Sequence, residues 1–184
     1  MVISIIVISV IVLLAIYLIV LYNSFVSKRN VLEEALSGID VILKKRFDLI
    51  PNLIETVKGY LTHERATLES IVNLRNQALS AGSADEKLQL DKKLGNAVGT
   101  IFALAENYPD LKANTNFLSL QEDLTEIETE IERSKRYYNG TVRDYNIAVE
   151  SFPGNLFANS FGFAKKNFLE LEDAAQRETP KVQF

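Results

Sequence analysis

The single histidine, His63, is the residue of this sequence that most directly suggests metal chemistry. His63 and Glu64 could begin a His-Glu-x-x-His helix, in which two histidines bind Zn²⁺ and the glutamate acts as general base. Thr67 stands where the second histidine is required. Helical di-metal sites use paired Glu-x-x-His motifs and therefore also need two histidines. We expect no catalytic residues, no metal ligands and no cofactor, although a site built from carboxylates alone stays open.

Other reaction chemistries lack their residues as well. The sequence has no cysteine, which excludes disulfides, thiolate catalysis and cysteine-bound metals, and it has no Gly-x-x-x-x-Gly-Lys phosphate loop. The net charge is −4 and the basic residues are dispersed among acidic ones, so we expect no nucleic acid partner. Nothing points to a small-molecule substrate. These features favour a protein that is not an enzyme.

An almost unbroken apolar run begins at Val2 and ends at Tyr22, and the first charged side chain is Lys28. A helix that crosses a bilayer needs about 20 such residues. A cleaved signal peptide would carry a basic segment before a shorter apolar stretch, and a core helix would have a polar side. Neither alternative fits, so we expect a transmembrane anchor over residues 1–27 and a bilayer as the first partner.

Basic residues follow the apolar run and none precedes it. Lys28 and Arg29 come at once. Because loops rich in lysine and arginine stay on the cytoplasmic side, we expect a single-pass protein of the plasma (inner) membrane. Its N-terminus would lie outside and its body in the cytoplasm.

The spacing of apolar residues after the anchor predicts an all-α fold, an antiparallel bundle of long helices of the four-helix type. The clearest helix covers residues about 111–150, and others cover about 24–79 and 85–107. In the helix at 111–150, apolar or aromatic residues recur at steps of three and four, with Ser134 filling the one gap: Leu120, Leu124, Ile127, Ile131, Tyr138, Val142, Tyr145 and Val149. Its opposite face carries charges that we expect to be solvated: Glu122, Asp123, Glu126, Glu128, Glu130, Glu132, Arg133, Lys135 and Arg136. The bundle domain would span residues 28–171.

Pro51 lies inside the predicted helical region at 24–79 and leaves two routes for the chain. Proline removes a helical hydrogen bond and clashes with the preceding turn. A reversal there would give an up-down-up-down bundle, but residues 47–53 contain no glycine and few polar side chains. We therefore favour a kinked, continuous helix, in which the membrane span runs on into a stalk and Gly38 is the first weak point.

The last part of the sequence leaves a second choice open. After the turn signal at residues 151–155, apolar residues of 157–171 fall on one helical face, with Lys165 and Lys166 beside them. This pattern fits a basic, aromatic helix on the membrane surface or a short helix that closes the bundle. Residues 172–184 resemble a polar tail.

Polar residues stand among apolar ones in three long sequence words. Residues 40–53 read Asp-Val-Ile-Leu-Lys-Lys-Arg-Phe-Asp-Leu-Ile-Pro-Asn-Leu, residues 108–114 read Tyr-Pro-Asp-Leu-Lys-Ala-Asn, and Tyr-Asn occurs at 138–139 and 145–146. The motif residues of these words are Asp40, Lys44, Arg46, Asp48, Pro51, Asn52, Tyr108, Pro109, Asp110, Asn114, Tyr138, Asn139, Tyr145 and Asn146.

These words resemble those of the LemA family of bacterial membrane proteins, and the resemblance covers nearly the whole chain. It implies one N-terminal span, an antiparallel helical domain and a cytoplasmic body, and it brings no enzymatic activity. Family genes often lie near a membrane zinc protease. The resemblance therefore implies a second hypothesis, an accessory or substrate-delivery partner of such an enzyme.

The motif residues suggest a buried polar network that fixes helix register. We expect Arg46 and Asp48 to find partners on other helices, with these candidates: Asn52, Asn114, Tyr138, Asn139 and Asn146. The functional alternative is a recognition surface in which four basic residues, Lys44, Lys45, Arg46 and Lys58, contact a partner or anionic lipid. Our first hypothesis is a membrane-anchored scaffold or adaptor that forms a homo-oligomer or binds another membrane protein, and that organises membrane or envelope components.

Overall fold

The computed structural model of this chain describes residues 1–169, which form helices and no strand. The helices are α1 (Val2–Val57), α2 (Arg65–Ser80), α3 (Ala84–Ala105), α4 (Pro109–Lys112), α5 (Thr115–Glu150) and α6 (Asn155–Ala158). The predicted all-α class is confirmed. The described residues divide into two compact units: a central unit of residues 36–134, and an anchor unit of residues 1–35 together with residues 135–169.

Helix α1 continues through both Gly38 and Pro51 and ends at Val57. The preference for a helix that continues through Pro51 is therefore confirmed, but its expected extension to residue 79 is wrong. The chain turns over residues 58–64, where the N–H groups of Tyr60 and Leu61 both donate to the carbonyl of Val57. Exposed Gly59 lies in this turn, because glycine is a poor helix former and tolerates the change of direction.

In the central unit, cross-helix pairs give the direction of each helix. Asp40 of α1 pairs with Lys87 of α3, and Arg46 of α1 pairs with Asp91 of α3. Residue numbers rise together in these pairs, so α1 and α3 run in the same direction. Helix α2 packs against α3 after the short connection at residues 81–83 and therefore runs the opposite way.

Helix α5 runs antiparallel to α1 in this unit. Arg46 of α1 pairs with Glu128, whereas Tyr60 at the other end contacts Asn114, which directly precedes α5. The central unit is thus an up-down-up-down arrangement of α1, α2, α3 and α5, as expected for an antiparallel four-helix bundle. The predicted helix at 85–107 is α3, and the one at 111–150 begins four residues later, after the short α4.

All four long helices contribute buried apolar side chains to the central unit. Among the least exposed of them are Ile39, Leu43, Phe47, Ile50, Leu53, Val57, Ile71, Ala78, Leu94, Val98, Ile101, Ala105, Phe117, Leu124 and Ile131. Phe102 and Phe117 meet edge to face, with ring centroids 5.8 Å apart. This core holds the helix faces on which the polar motif residues lie.

In the anchor unit, α1 and the last turns of α5 enclose a second buried core. Phe25, Leu32, Val142, Tyr145 and Phe163 are almost fully buried. The apolar residues of α1 that precede this core are exposed, and α1 is the one helix within residues 1–169 that is long and apolar enough to cross a membrane. That finding agrees with the anchor predicted from the sequence.

Both helical interpretations of residues 157–171 are wrong for the part that the structure describes. Helix α6 ends at Ala158, Gly162 has a positive φ of 77°, and residues 163–169 are not helical. A positive φ is readily adopted by glycine, and it turns the chain out of the helical path. The predicted polar tail at 172–184 lies outside the described residues.

Candidate functional site

The motif residues do not form one network. They fall into a buried ion cluster and several smaller contacts in the central unit, and a set of amide contacts in the anchor unit. Each group performs a different structural task.

The buried ion cluster consists of Arg46, Asp91 and Glu128. Nη1 of Arg46 lies 3.1 Å from Oδ2 of Asp91 and 2.5 Å from Oε2 of Glu128. The side chains of Arg46 and Asp91 are about 95% buried, whereas that of Glu128 is half exposed. One guanidinium thus connects α1, α3 and α5.

Gly95 makes room for this guanidinium on α3. A Cβ atom added to Gly95 would lie 2.7 Å from Nη2 of Arg46. Such a distance is too short for non-bonded atoms, so a side chain at this position would force the guanidinium to shift. The glycine therefore belongs to the cluster although it carries no charge.

The ion cluster can hold helices in register but is poorly suited to proton transfer. A guanidinium stays protonated throughout the physiological pH range, and its planar fork favours carboxylate partners. Burying charges is costly, and removing one partner of a buried pair typically costs 3 to 5 kcal/mol. The cluster thus penalises helix positions that separate Arg46 from its carboxylates.

Pro51 changes the hydrogen bonding of the backbone one turn earlier in α1. It has no N–H, so the carbonyl of Phe47 lacks the helical donor that residue 51 would normally provide. Nε of Arg75 in α2 donates to this carbonyl oxygen at 2.7 Å. The proline therefore creates an acceptor in α1 that a neighbouring helix uses.

The word at residues 108–114 organises the junction before α5. Oδ1 of Asn114 accepts hydrogen bonds from the N–H groups of Asn116 and Phe117, at 2.9 and 3.1 Å, which caps α5. Its Nδ2 donates to the hydroxyl of Tyr60 at 3.2 Å. Asn114 thus joins the start of α5 to the turn after α1.

The neighbouring residues of this word have local roles. The Tyr108 hydroxyl donates to Oε1 of Glu64 at 3.2 Å, and desolvation together with this carboxylate raises the pKa of Tyr108. Pro109 begins α4, where its missing N–H is harmless, and exposed Asp110 lies in the same first turn. These residues stop one helix and start the next.

The remaining motif residues of α1 lie at or near its surface. Asp40 pairs with Lys87 at 2.7 Å, and Lys44 pairs with Asp48 at 2.6 Å on the same helix. Asn52 is exposed. The expectation that Asp48 reaches another helix is therefore wrong, because an oppositely charged residue lies one turn away on its own helix.

In the anchor unit, Asn139 and Asn146 each bind a backbone segment through both ends of the side-chain amide. Asn146 donates to the carbonyl of Lys166 and accepts from its N–H, both at 2.9 Å. Asn139 does the same with Leu169, also at 2.9 Å. Tyr145 adds a hydrogen bond from its hydroxyl to the carbonyl of Ala164 at 3.1 Å.

These contacts show that the chain is extended from Lys166 to Leu169, within the non-helical residues 163–169. Asn139 and Asn146 lie seven residues apart on α5, which is about 10 Å. Their partners Leu169 and Lys166 are only three residues apart, and three residues span about 10 Å only when the chain is stretched. We call residues 163–169 the extended segment, and the three side chains that bind it, Asn139, Tyr145 and Asn146, the amide clamp.

Tyr145 lies at the centre of the anchor unit. Burial is the main cause that raises the pKa of its hydroxyl; nearby Arg29 lowers it and Glu33 raises it. The guanidinium of Arg29 also lies over the ring of Phe163, 5.3 Å from the centroid. The fourth motif residue of this region, Tyr138, is buried on the same face of α5. Its carbonyl accepts from the hydroxyl of Thr141.

The expected partners of Arg46 were wrong. Among the five candidates, Asn52 is exposed, Asn114 caps α5, Tyr138 is buried in the anchor unit, and Asn139 and Asn146 bind backbone. Arg46 instead takes two carboxylates, because a buried guanidinium is better compensated by negative charge than by neutral amides.

The sequence interpretation missed Asp91 and assigned Glu128 to a solvated face. A signal for Asp91 was present, since it lies three residues before Leu94 and seven before Val98 on the apolar stripe of α3. A lone carboxylate on such a stripe indicates a buried cationic partner. Glu128 had no such signal, because it reaches the cluster from the edge of α5.

Residues 1–169 contain no cluster of side chains that could bind a metal ion. No group of three or more histidine, cysteine, aspartate or glutamate side chains in that part of the chain could hold an ion. His63 is exposed in the turn before α2, so it does not stand on a helix beside Thr67. The geometry that a His-Glu-x-x-His site requires is therefore not formed.

Together these features of residues 1–169 define a class: an all-helical protein with one candidate membrane span, whose polar motif residues mainly contact other residues of the same chain. The model of the LemA family matches residues 35–184, and the chain belongs to this family.

Similar proteins include two groups. Magnetosome protein MamQ 2 of Paramagnetospirillum magneticum is 26% identical over 187 aligned residues, which cover 88% of this chain and 68% of that protein. MamQ of Magnetospirillum gryphiswaldense is 22% identical with the same coverage. Protein LemA of Metamycoplasma hominis is 27% identical over 138 residues, covering 74% of this chain and 63% of that protein.

Proposed function

We propose that this protein is a non-enzymatic scaffold or adaptor, anchored in the plasma (inner) membrane by the first part of α1. Its helical body assembles with a second copy or with another membrane protein and thereby organises membrane or envelope components. The observation that carries this proposal is α1 itself. One helix combines exposed apolar residues near its start with side chains buried in the protein core further on.

The exposed run supports insertion in a bilayer. Side chains such as Ile3, Ile11 and Leu13 are about 60 to 80% exposed and are separated by no charged residue. Leaving so much apolar surface in water is unfavourable by about 25 cal/mol per Å². Hydrocarbon is the environment that removes this penalty along the whole run.

The orientation follows from the basic residues after the span. Lys28 and Arg29 favour a cytoplasmic body. The chain has no cysteine, so a single cysteine introduced at exposed Asn30 reports its side of the membrane. In intact cells, a maleimide that cannot cross the membrane should leave Asn30→Cys unlabelled until the membrane is permeabilised. Labelling of intact cells would contradict the cytoplasmic orientation.

The motif residues support a structural rather than a chemical role. Arg46 is held by carboxylates, Asn114 caps a helix, and Asn139 and Asn146 bind backbone. Each of these polar groups is engaged in holding helices or a segment in place. The surface left for partners consists of exposed side chains, and Asn52 is the motif residue of α1 that lies there without a described structural task.

Two measurements on the full chain test the scaffold. Native mass spectrometry of the protein in lipid discs should give assemblies of two or more copies, and photo-crosslinking in cells should give either self-crosslinks or one reproducible membrane protein. A monomer that also gives no reproducible crosslink would contradict the proposal. Crosslinks confined to a membrane enzyme such as a zinc protease would instead support the accessory-partner hypothesis.

A further inference from the structure

We propose that residues 151–162, the turn between α5 and the extended segment, form an aromatic platform that lies in the membrane–water interface. We call these residues the interfacial turn. Its partner is a phospholipid bilayer, at the level of the head groups and the first carbons of the acyl chains. This inference rests on the proposed membrane anchoring and adds a second, separate lipid contact.

The position of the interfacial turn relative to the span is the first argument. The rings of Phe161 and Phe163 meet that of Tyr22 at centroid distances of 5.4 and 5.6 Å. A Cβ atom added to Gly154 would lie 3.2 Å from the ring of Phe25. Because the apolar run ends at Tyr22, these contacts place the turn beside the point where α1 leaves the hydrocarbon.

The exposed side chains of the turn are the second argument. Phe152 is 80% exposed and Leu156 is 62% exposed, although Gly154 and Ala158 of the same turn are buried. Phe161 stacks on Phe157, with centroids 6.3 Å apart, and both rings are partly exposed. Aromatic residues concentrate at membrane interfaces because an apolar ring can be buried there while nearby polar groups stay wet.

The charges around the turn are the third argument. Lys28 follows the span, and exposed Lys165 and Lys166 follow the turn. Lys165 pairs with Glu150 at 2.8 Å, and the amide clamp holds the backbone of exposed Lys166 in place. Cations beside apolar side chains favour a surface that contains anionic lipid.

The bilayer explains these observations better than a protein partner does. A protein could cover Phe152 and Leu156, but nothing would then require them to lie beside the end of an apolar span. The turn is continuous with the span through Tyr22, so a bilayer that contains the span would also meet the turn.

The absence of tryptophan from the sequence permits a direct test. We would introduce one tryptophan into the full chain and reconstitute the protein in vesicles of phosphatidylcholine and phosphatidylglycerol. The measurement compares how strongly the tryptophan fluorescence is quenched by lipids brominated near the head group and by lipids brominated near the bilayer centre. Leu156→Trp and Phe152→Trp should lose more emission to the shallow bromines. Ile11→Trp, inside the apolar run, should lose more to the deep ones.

Tyr137→Trp is the matched control. Tyr137 is 61% exposed in the same unit, but it lies thirteen residues before the end of α5, about 20 Å along the helix. Its emission should not respond to either brominated lipid. Quenching of Ile11→Trp without quenching of Phe152→Trp and Leu156→Trp would overturn the interfacial turn and leave the anchor intact. A lack of quenching at Ile11→Trp would overturn the anchor itself, and the interfacial turn with it.

Discussion

Arg75 of α2 donates a hydrogen bond from Nε to the carbonyl oxygen of Phe47 in α1, at 2.7 Å. This is the carbonyl that Pro51 leaves without its helical donor. A residue that weakens α1 therefore creates the acceptor that fastens α2 to it. The proline in the middle of a long helix has a structural use beyond bending.

The first prediction concerns this pair. Arg75→Met should lower the free energy of unfolding by about 1 to 3 kcal/mol, since it removes a partly buried hydrogen bond from a charged donor. The loss should be smaller in a chain that also carries Pro51→Ala, because residue 51 can then donate to Phe47. Denaturant titration of the full chain in detergent measures both effects. Equal losses in the two backgrounds would show that the proline and Arg75 act independently.

The second prediction compares two glycines one turn apart on α3. Gly95→Ala should destabilise the protein by about 1 to 3 kcal/mol, because its new methyl group displaces the Arg46 guanidinium. Gly99→Ala should be neutral or stabilise by up to about 1 kcal/mol, since nothing lies within 4 Å of its Cβ position and alanine is the better helix former. Gly95→Ala should thus lower the free energy of unfolding, whereas Gly99→Ala should leave it unchanged or raise it. A stabilised Gly95→Ala would show that the guanidinium can move at no cost.

The third prediction concerns the ion cluster. Arg46→Met should destabilise by about 3 to 5 kcal/mol, because buried Asp91 would lose the guanidinium that compensates its charge. Lys44→Met, which breaks an exposed pair two residues earlier, should change the free energy of unfolding by less than about 1 kcal/mol. Thermal unfolding followed by circular dichroism compares the two. Similar melting temperatures would contradict a structural role for the cluster.

The fourth prediction tests the amide clamp. Asn146→Ala removes two hydrogen bonds to the backbone of Lys166, and we expect the amide hydrogens of the extended segment to exchange at least about tenfold faster, since the two bonds together contribute about 1 to 3 kcal/mol. Exchange in α2 and α3 should stay unchanged. Asn96→Ala, at an exposed position on α3, is the control. Hydrogen–deuterium exchange mass spectrometry makes the measurement, and unchanged exchange at Lys166 would refute the clamp.

The fifth prediction is a pH dependence. Burial raises the pKa of Tyr145 above its unfolded value of about 10, so its contribution to stability is fully present below that pH and is lost as pH rises through the folded-state pKa. Tyr145→Phe should cost about 1 kcal/mol near neutral pH, by losing the bond to Ala164, and should lose less stability between about pH 8 and pH 11. Denaturant titrations at the two pH values test this. An identical alkaline loss in both proteins would contradict it.

The helical class and the candidate anchor could be predicted from the amino-acid sequence alone. Both depend on patterns that recur along the chain: the uninterrupted apolar run that ends at Tyr22, and apolar residues at helical spacing such as Ile127 and Ile131. Such patterns need no knowledge of neighbours, because they describe how one helix meets its surroundings. Continuity through Pro51 also followed from local residues, since nothing near it favours a reversal.

The partners of the polar residues and the path of the chain after α5 depend on the tertiary structure and could not be predicted from the sequence. Arg46 meets Asp91 and Glu128, which lie 45 and 82 residues away, and a charge attracts whichever opposite charge packing brings near. The pattern at residues 157–171 predicted a helix, yet residues 163–169 are not helical. Asn139 and Asn146 of α5 instead bind backbone groups of this segment that would be paired within the helix if one formed. Helical spacing predicts which face is apolar, but long-range hydrogen bonds decide whether the helix forms at all.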